Sequence, residues 1–327
     1  MKIFICGLGR IGRHALRFLD ERFDIDIEFY DKLENIDNLV YLLNYDSVYG
    51  LRKKIYESSQ NKKSIINKET QKEFFFCHPD SSSAQLAIDC SGSPFALEEL
   101  VASNFKKIYV TNSTENKLID DYTIANVSDS SKKRVISVSI CDTTAIAPVL
   151  KFVDEKFDIL NGHLTTLHPW LNYQNLSDGP VLSTQTPSSY LTDFALGRKS
   201  TEALIPKTTT AINALEKVFP DLANKFSSWS FRVPTPIVSV ALLNINTNNE
   251  IQDPKGLIKG LLNVRGIAAG GENKVSSDYI GLEANCAIDV NSLLSTKYSL
   301  SISLYYDNEL GYTSQILNHI INFSGDI

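Results

Sequence analysis

The chain has 327 residues, which is long enough for two domains that each bury a full core. Its net charge of −6 gives no electrostatic reason to expect binding to nucleic acid or to an anionic membrane. We find no apolar run long enough to span a bilayer, and the opening residues predict a strand rather than a signal peptide. The 5 cysteines are scattered without the spacing of metal ligands or of a disulfide framework, so we expect no metal and a reducing cytoplasm.

The first part of the chain alternates short apolar segments with helical ones. Residues 2–6 predict a strand, Arg13–Leu19 has helical periodicity, and Ile25–Tyr30 predicts a second strand. Two later apolar segments end in polar runs, Asp89-Cys90-Ser91-Gly92 and Thr111-Asn112-Ser113. This alternation is typical of a parallel α/β sheet, in which ligands bind at the carboxyl ends of the strands.

A glycine-rich turn joins the first strand to the first helix. Gly7, Gly9 and Gly12 have the G-x-G-x-x-G spacing of dinucleotide-binding sites, and Asp31 ends the next strand. The glycines let the backbone approach a pyrophosphate, whose charge the helix N-terminus stabilises. A carboxylate at Asp31 would accept hydrogen bonds from the ribose hydroxyls and repel a 2′-phosphate, which favours NAD over NADP. The alternative is a glycine-rich turn that binds no ligand.

After about residue 150 the apolar runs become longer. Asn161–His168, Val238–Asn246 and Tyr298–Tyr306 predict strands of an antiparallel sheet. A stretch rich in Ser, Thr and Pro covers residues 171–202, and a loop of that length inside a compact domain is usually functional or disordered. Gly311–Phe323 predicts an amphipathic helix. The second part of the chain is therefore expected to differ in architecture from the first.

Cys141 follows a predicted strand and directly precedes a predicted helix, Thr143–Phe157. A helix N-terminus stabilises a thiolate, and His168, at the end of a predicted strand, is the best candidate for its base. The adjacent Asp142 works against a thiolate because a carboxylate carries the same sign of charge. For an isolated cysteine and histidine, a structural histidine would be the simpler interpretation.

Motifs that run in order along nearly the whole chain resemble those of the glyceraldehyde-3-phosphate dehydrogenase family, which includes the erythrose-4-phosphate dehydrogenase group. These motifs are Gly7-Leu8-Gly9-Arg10-Ile11-Gly12-Arg13, Tyr45-Asp46-Ser47-Val48-Tyr49-Gly50, Cys141 and Thr143 with Ala147-Pro148, Thr165-Thr166-Leu167-His168, Asp178-Gly179-Pro180, Phe231-Arg232-Val233-Pro234-Thr235 and Tyr306-Asp307-Asn308-Glu309-Leu310-Gly311-Tyr312. The resemblance implies an α/β protein with a Rossmann-type doubly wound parallel sheet, plus an α+β catalytic domain with a mostly antiparallel sheet. It implies an NAD-binding domain at 1–140, a catalytic domain at 141–306 and a C-terminal helix at 307–327 that packs back on the NAD-binding domain.

The resemblance also implies roles for individual residues. Cys141 would attack the aldehyde to give a thiohemiacetal, and its backbone N–H would help to hold the oxyanion. His168 would take the hydroxyl proton as hydride leaves to NAD. Arg232, with Thr209, would bind the phosphate of the substrate, and Asn308 would hold the nicotinamide carboxamide. The residues expected to bind NAD are Gly7, Gly9, Arg10, Ile11, Gly12, Asp31, Ser91, Thr111, Asn308 and Tyr312.

The chain departs from the family pattern where the attacking inorganic phosphate should bind. Ile140 and Asp142 replace hydroxyl residues beside the nucleophile, Thr210 replaces a glycine, and Leu171 replaces a threonine after the base. An ionised Asp142 that points inward would repel an anion about 6 Å away by roughly 3 kcal/mol and would raise the pKa of Cys141. An Asp142 that points outward and caps the helix, or one that is protonated, would not have these effects.

The resemblance, together with these departures, implies an NAD-dependent dehydrogenase of a phosphorylated aldehyde, in glycolysis or glucose metabolism, with impaired phosphorolysis of its acyl-enzyme. Non-phosphorylating oxidation, as in the erythrose-4-phosphate group, is the nearest precedent. The alternatives are a catalytically weakened NAD-binding regulatory protein and a second isoform that tolerates a thiol-directed inhibitor. The resemblance further implies a cytoplasmic homotetramer in which residues 171–202 line the NAD site of the neighbouring subunit.

Overall fold

The computed structural model describes residues 1–33, 35–51, 54–113, 115–129, 131–181, 193–271 and 273–323. The chain folds as two compact units. One consists of Met1–Thr123, Ser130–Val138 and Leu317–Ile327, and the other of Ile124–Asp129 and Ser139–Ile316. Within the described ranges, no helix combines the length and the apolar composition that crossing a membrane requires.

The first unit contains a mostly parallel sheet. Its elements in chain order are β1 (Lys2–Cys6), α1 (Arg10–Arg22), β2 (Asp26–Tyr30), α2 (Ile36–Asn44), β3 (Tyr45–Asp46), β4 (Gly50–Leu51), β5 (Tyr56–Ser58), β6 (Ser64–Asn67), β7 (Glu73–Phe76), β8 (Leu86–Asp89), α3 (Pro94–Ala102), β9 (Lys107–Val110), β10 (Asp121–Tyr122) and β11 (Val135–Ser137). The strand order is β10-β11-β9-β8-β1-β2-β7-β6-β5, and β3 pairs with β4 separately. Pairing is parallel from β10 to β7 and antiparallel from β7 to β5. The predicted Rossmann-type sheet is confirmed.

Strand β1 marks the place where the strand order reverses, because β2 lies on one side of it and β8 on the other. Ile3, Phe4 and Ile5 are fully buried, so both faces of this strand are covered. In open α/β sheets, ligands bind outside the carboxyl ends of the strands at such a reversal. The glycine-rich turn follows β1 at this edge of the sheet.

The second unit contains a mostly antiparallel sheet, as predicted. Its elements are α4 (Cys141–Phe157), β12 (Ile159–Pro169), β13 (Ile205–Lys207), α5 (Ala211–Glu216), α6 (Pro220–Ala223), β14 (Phe226–Val233), β15 (Ser239–Thr247), α7 (Pro254–Leu261), β16 (Ile267–Ala269), β17 (Cys286–Ile288), β18 (Leu294–Ser295), β19 (Ser299–Tyr306) and α8 (Leu310–Phe323), which begins in this unit. The strand order is β13-β14-β12-β15-β19-β17-β16, with β18 beside β19. Two pairs, β12 with β14 and β16 with β17, are parallel.

Helices α1 and α4 begin earlier than the apolar periodicity predicted. Helix α1 starts at Arg10 and α4 starts at Cys141 itself, because Gly9 and Ile140 already have the extended backbone of N-cap residues. The apolar pattern becomes visible only further along each helix. In α4 this shift of two residues places the candidate nucleophile in the first helical turn.

Helix α4 continues through Pro148, which has no backbone N–H to donate to the carbonyl of Thr144. The side chain of Asn285 supplies this bond, since its Nδ2 donates to Thr144 O at 2.7 Å. Asn285 is buried, and its amide therefore satisfies a carbonyl that the helix cannot. The helix is continuous from Cys141 to Phe157.

The long stretch after β12 is paired at both ends. Gly179 N donates to Gly197 O at 2.9 Å, and the Asp178 carboxylate accepts from Arg198 Nε and from the backbone N–H of Lys199. Residues 182–192 lie outside the described residues. The role of 171–202 at a subunit interface stays a prediction.

Candidate active site

Cys141 lies at a sharp turn that leads into α4. Ser139, two residues earlier, has a φ of 67°, which is in the left-handed region. The hydroxyl of Tyr312 donates to Ser139 O at 2.9 Å and holds this turn. Such a conformation costs about 1–3 kcal/mol for a non-glycine residue and is concentrated at functional sites. The turn places the sulfur at the amino end of the helix, in the first turn of α4.

His168 approaches Cys141 from strand β12. Its Nε2 lies 3.7 Å from the Cys141 sulfur, and its Nδ1 lies 2.7 Å from Pro169 O. A carbonyl oxygen can only accept, so Nδ1 carries the proton of a neutral ring and Nε2 presents its lone pair to the sulfur. This arrangement suits His168 to accept the proton of the thiol.

Asp142 points into the site and is buried. Its Oδ1 accepts a hydrogen bond of 2.8 Å from the hydroxyl of Tyr306, the last residue of β19. The same oxygen lies 3.4 Å from the Cys141 sulfur and 3.8 Å from His168 Nε2. Of the two orientations that the sequence left open, the structure has the inward one.

The surroundings keep both Cys141 and His168 neutral. Burial raises the pKa of the Cys141 thiol well above its ordinary value, and the charge of Asp142 raises it further. Burial also lowers the pKa of His168 to about 4, an effect to which the Arg232 cation adds. These effects outweigh the helix N-terminus, which the sequence suggested would stabilise a thiolate. The sulfur therefore needs His168 to remove its proton as it attacks.

Arg232 lies on β14 directly beside His168, because the two residues are register partners in the parallel β12–β14 pair. Its side chain is buried, and its Nε has no hydrogen-bond partner among the described residues. A buried donor without a partner calls for an explanation, and an anionic ligand supplies one. The arginine therefore fits the predicted role of holding the phosphate of a substrate.

The remaining residues predicted around the phosphate are only partly brought to the nucleophile. Thr209 Oγ1 accepts from Ala211 N at 3.0 Å, and Thr143 Oγ1 donates to Ala211 O at 2.9 Å, so the start of α5 contacts the first turn of α4. Thr210 is exposed. Leu171 is partly exposed and donates its backbone N–H to the side chain of a glutamine three residues later.

The glycine-rich turn of the first unit has the form that a dinucleotide needs. A Cβ at Gly12 would overlap Gly7 O, and a Cβ at Gly7 would lie 2.7 Å from Ser91 Cα. A Cβ at Gly9 would meet no atom of the described residues within 4 Å, so this glycine leaves the turn open on its outer side. The first N–H groups of α1, from Arg10 and Ile11, are directed out of the helix end, where they can bind a pyrophosphate.

The other predicted NAD-binding residues of this unit lie at the carboxyl ends of neighbouring strands. The carboxylate of Asp31, after β2, accepts from the backbone N–H of Leu8 at 2.7 Å and so supports the glycine-rich turn. Ser91 Oγ donates to Asp89 Oδ1 at 2.6 Å, and Thr111 Oγ1 donates to Asp89 O at 2.9 Å. The glycine-rich turn, Asp31, Ser91 and Thr111 therefore lie at one edge of the sheet, whereas Asn308 and Tyr312 belong to the second unit.

Asn308 has its side-chain amide oriented by an unusual backbone. Val238 has a φ of 66°, a conformation that is rare for a β-branched residue, and its N–H donates to Asn308 Oδ1 at 3.1 Å. This bond directs the amide oxygen towards Val238 and leaves the NH₂ group to donate elsewhere. That orientation suits the predicted role of Asn308 in holding a carboxamide.

Two residues with positioning contacts were not predicted from the sequence. Tyr306 orients Asp142, although its place at the end of a strand within a family motif was visible. The carboxylate oxygens of Asp46 each lie 3.7 Å from a guanidinium nitrogen, Oδ1 from that of Arg10 and Oδ2 from that of Arg17. The Tyr-Asp-Ser motif that contains Asp46 could have indicated this contact.

Comparisons with known proteins agree with this geometry. Residues 140–308 match the C-terminal domain of glyceraldehyde 3-phosphate dehydrogenase, and residues 1–93 match its NAD binding domain, which confirms NAD as the cofactor. The glyceraldehyde-3-phosphate dehydrogenase of Helicobacter pylori strain J99 is 30% identical over 97% of this chain and 98% of its own. The cytosolic glyceraldehyde-3-phosphate dehydrogenase of Chondrus crispus is 28% identical over 99% of this chain and 98% of its own. Glyceraldehyde-3-phosphate dehydrogenase A of Escherichia coli K12 is 26% identical over 99% of both chains. The chain therefore belongs to the glyceraldehyde-3-phosphate dehydrogenase family.

Proposed function

We propose that this chain oxidises a phosphorylated aldehyde with NAD, through a thiohemiacetal and an acyl-enzyme on Cys141. The observation that carries the proposal is the distance of 3.7 Å between the Cys141 sulfur and His168 Nε2, whose lone pair faces the sulfur. A thiol and an imidazole within reach of each other can act as the nucleophile and base of covalent catalysis, and this spacing is often looser in an unliganded site. The membership of the chain in a family of NAD-dependent dehydrogenases supports the same reaction.

In the first half-reaction, Cys141 transfers its proton to His168 Nε2 as the sulfur attacks the carbonyl carbon. The imidazolium then returns the proton to the oxyanion, which gives the thiohemiacetal. His168 next removes the hydroxyl proton while the carbon loses hydride and becomes the thioester carbon. Bound NAD would supply the acceptor for that hydride. Arg232 supports a phosphorylated substrate because its buried Nε is available to an anion.

In the second half-reaction, we propose that Asp142 hinders attack by inorganic phosphate. Its Oδ1 lies 3.4 Å from the sulfur, so an attacking anion must approach a carboxylate as well as the thioester. Like charges about 6 Å apart repel by about 3 kcal/mol at an effective dielectric of about 20. Water, or another uncharged acceptor, does not meet this repulsion. The acyl group would then leave as a carboxylic acid.

The test is the rate of NADH formation from glyceraldehyde 3-phosphate with and without phosphate or arsenate, in the presence of a chelator. We expect a rate that hardly depends on either anion. Strong dependence on phosphate would reject hindered phosphorolysis, while the absence of NADH under both conditions would reject this substrate.

A second candidate is a catalytically weakened NAD-binding regulatory protein, and the raised pKa of the Cys141 thiol favours it. A burst of NADH separates the two candidates. An active enzyme forms one NADH per Cys141 in its first turnover, whereas a binding protein forms none. Cys141→Ser provides the background.

We also propose a cytoplasmic homotetramer that acts in glycolysis. The cysteines of the chain are all free, which suits a reducing compartment, and a relative from Chondrus crispus is named as cytosolic. Light scattering on the purified protein should give the mass of four chains, and the mass of one chain would reject the tetramer.

A further inference from the structure

Cys141, Asp142 and His168 bring together a sulfur, a carboxylate oxygen and an imidazole nitrogen. The three atoms lie 3.4 Å (sulfur to oxygen), 3.7 Å (sulfur to nitrogen) and 3.8 Å (oxygen to nitrogen) apart. In a tetrahedral zinc site, bond lengths of about 2.3 Å to sulfur and about 2.0–2.1 Å to nitrogen or oxygen place sulfur about 3.6 Å from either light atom. The two light atoms then lie about 3.3 Å apart. The side chains therefore need to move by only about half an ångström to surround a zinc ion.

His168 already has the outer partner that a zinc ligand usually has, and a hydrogen bond also orients the carboxylate of Asp142. His168 is directed by Pro169 O on Nδ1, which leaves Nε2 for a metal. The hydroxyl of Tyr306 orients the Asp142 carboxylate by donating to Oδ1, the same oxygen that faces the sulfur and the imidazole. Such partners fix the orientation of metal ligands in proteins. The three side chains are therefore held in place as a set.

The charges around the three side chains favour a divalent cation, although not uniformly. A thiolate and the carboxylate of Asp142 together balance the two positive charges of the ion. The positive charge of Arg232 repels a cation at this site. The negative charge of Glu309, which interacts with His168, attracts one. Asp142 supplies the third ligand. In the family pattern this position is a threonine, which would leave only the cysteine and the histidine as ligands.

We propose that Cys141, Asp142 and His168 bind Zn²⁺ reversibly and that the bound ion masks the nucleophile. On binding, the sulfur exchanges its proton for a bond to zinc, the proton leaves to solvent, and no electron is transferred. The spacing of the cysteines gave no indication of this site, because two of the ligands are adjacent in α4 and the third comes from strand β12. The inference rests on the geometry of the three side chains and not on the proposed aldehyde chemistry.

The test is a titration of the reduced, chelator-treated full chain with Co²⁺, without NAD or aldehyde. Co²⁺ takes the place of zinc and shows a thiolate charge-transfer band in the near ultraviolet and visible bands of a tetrahedral site. We expect one Co²⁺ per chain, displaced by Zn²⁺, and no charge-transfer band in Cys141→Ser. Asp142→Thr and Asp142→Asn should weaken binding by about a hundredfold or more, since even outer-partner changes cost about 10–100-fold.

Glu155→Gln is the matched control, because it removes an exposed acid from the same helix and should leave binding unchanged. Circular dichroism and NAD binding check that each variant folds. The proposal is overturned if the native chain shows no thiolate band, or if both Asp142 variants bind as tightly as the native chain. Because no substrate is present, these outcomes do not depend on whether the chain oxidises an aldehyde.

Discussion

The hydroxyl of Tyr306 donates a hydrogen bond of 2.8 Å to Oδ1 of Asp142 and holds that carboxylate beside the candidate nucleophile. Both side chains are buried, and the two residues lie 164 positions apart in the chain. The contact joins the end of β19 to the first turn of α4. It decides that the carboxylate faces Cys141 rather than solvent.

Replacement of Asp142 by threonine should make phosphate a better acyl acceptor. Loss of the carboxylate removes the repulsion of the attacking anion, so we expect phosphate-dependent NADH formation to rise about tenfold to a hundredfold. The measurement is the initial rate against phosphate concentration. Asp142→Asn removes the charge with little change of shape and should act in the same direction. If only threonine has an effect, a hydroxyl group and not the charge explains the difference.

Alkylation of Cys141 should be slow at neutral pH and should accelerate only in alkaline solution. Burial and the charge of Asp142 raise the pKa of this thiol, and the thiolate is the form that reacts with iodoacetamide. In Asp142→Asn the alkylation rate of Cys141 should begin to increase at a lower pH than in the native chain. Peptide mapping identifies the modified cysteine. Rapid labelling of the native Cys141 at neutral pH, with no change in the variant, would show that Asp142 does not control the thiol.

Tyr306→Phe should destabilise the fold by about 1–3 kcal/mol, because the buried carboxylate of Asp142 loses a donor. Denaturant unfolding of the native chain and the variant measures this difference. Tyr305→Phe is the matched control, since this neighbour on β19 is less buried and its ring stacks on that of Tyr279. Equal losses in the two variants would contradict a specific bond to Asp142.

His168 should make the protein less stable as the pH falls from about 6.5 to 4. The pKa of this imidazole is about 4 in the folded chain, and its ordinary value is about 6.5. Between about pH 4 and 6.5 the unfolded chain binds a proton at this imidazole and the folded chain does not. The free energy of unfolding therefore decreases as the pH is lowered, by up to about 3 kcal/mol for this group.

The measurement for His168 is urea unfolding at several pH values between 4 and 7. His168→Gln should show a shallower dependence on pH than the native chain in this range. His163→Gln, on the same strand but less buried, should keep the native dependence. A native slope in His168→Gln would show that other groups cause the loss of stability.

Much of the fold could be predicted because its signals are local. The glycine spacing after β1 and the apolar runs of β12, β15 and β19 predicted the turn and the two kinds of sheet. The parallel pairing of β12 with β14 could not be predicted, since period-2 patterns do not reveal which strands become neighbours.

The residues of the candidate site could be predicted from the sequence. The direction of the Asp142 carboxylate and its effect on the pKa of Cys141 could not. Cys141 and His168 were expected to meet, and the structure places them 3.7 Å apart. The inward direction of Asp142 could not be predicted, because its partner Tyr306 comes from a distant strand. The pKa of Cys141 was open for the same reason, since burial and the neighbouring carboxylate together outweigh the helix N-terminus.

The most direct test of the part played by Asp142 is the identity of the product formed in the presence of phosphate. Phosphorus NMR of the reaction with glyceraldehyde 3-phosphate distinguishes a carboxylic acid from an acyl phosphate. We expect the native chain to release mainly the acid and Asp142→Thr to release mainly the acyl phosphate. An acyl phosphate as the main product of the native chain, formed as fast as by the variant, would contradict a carboxylate that hinders phosphorolysis.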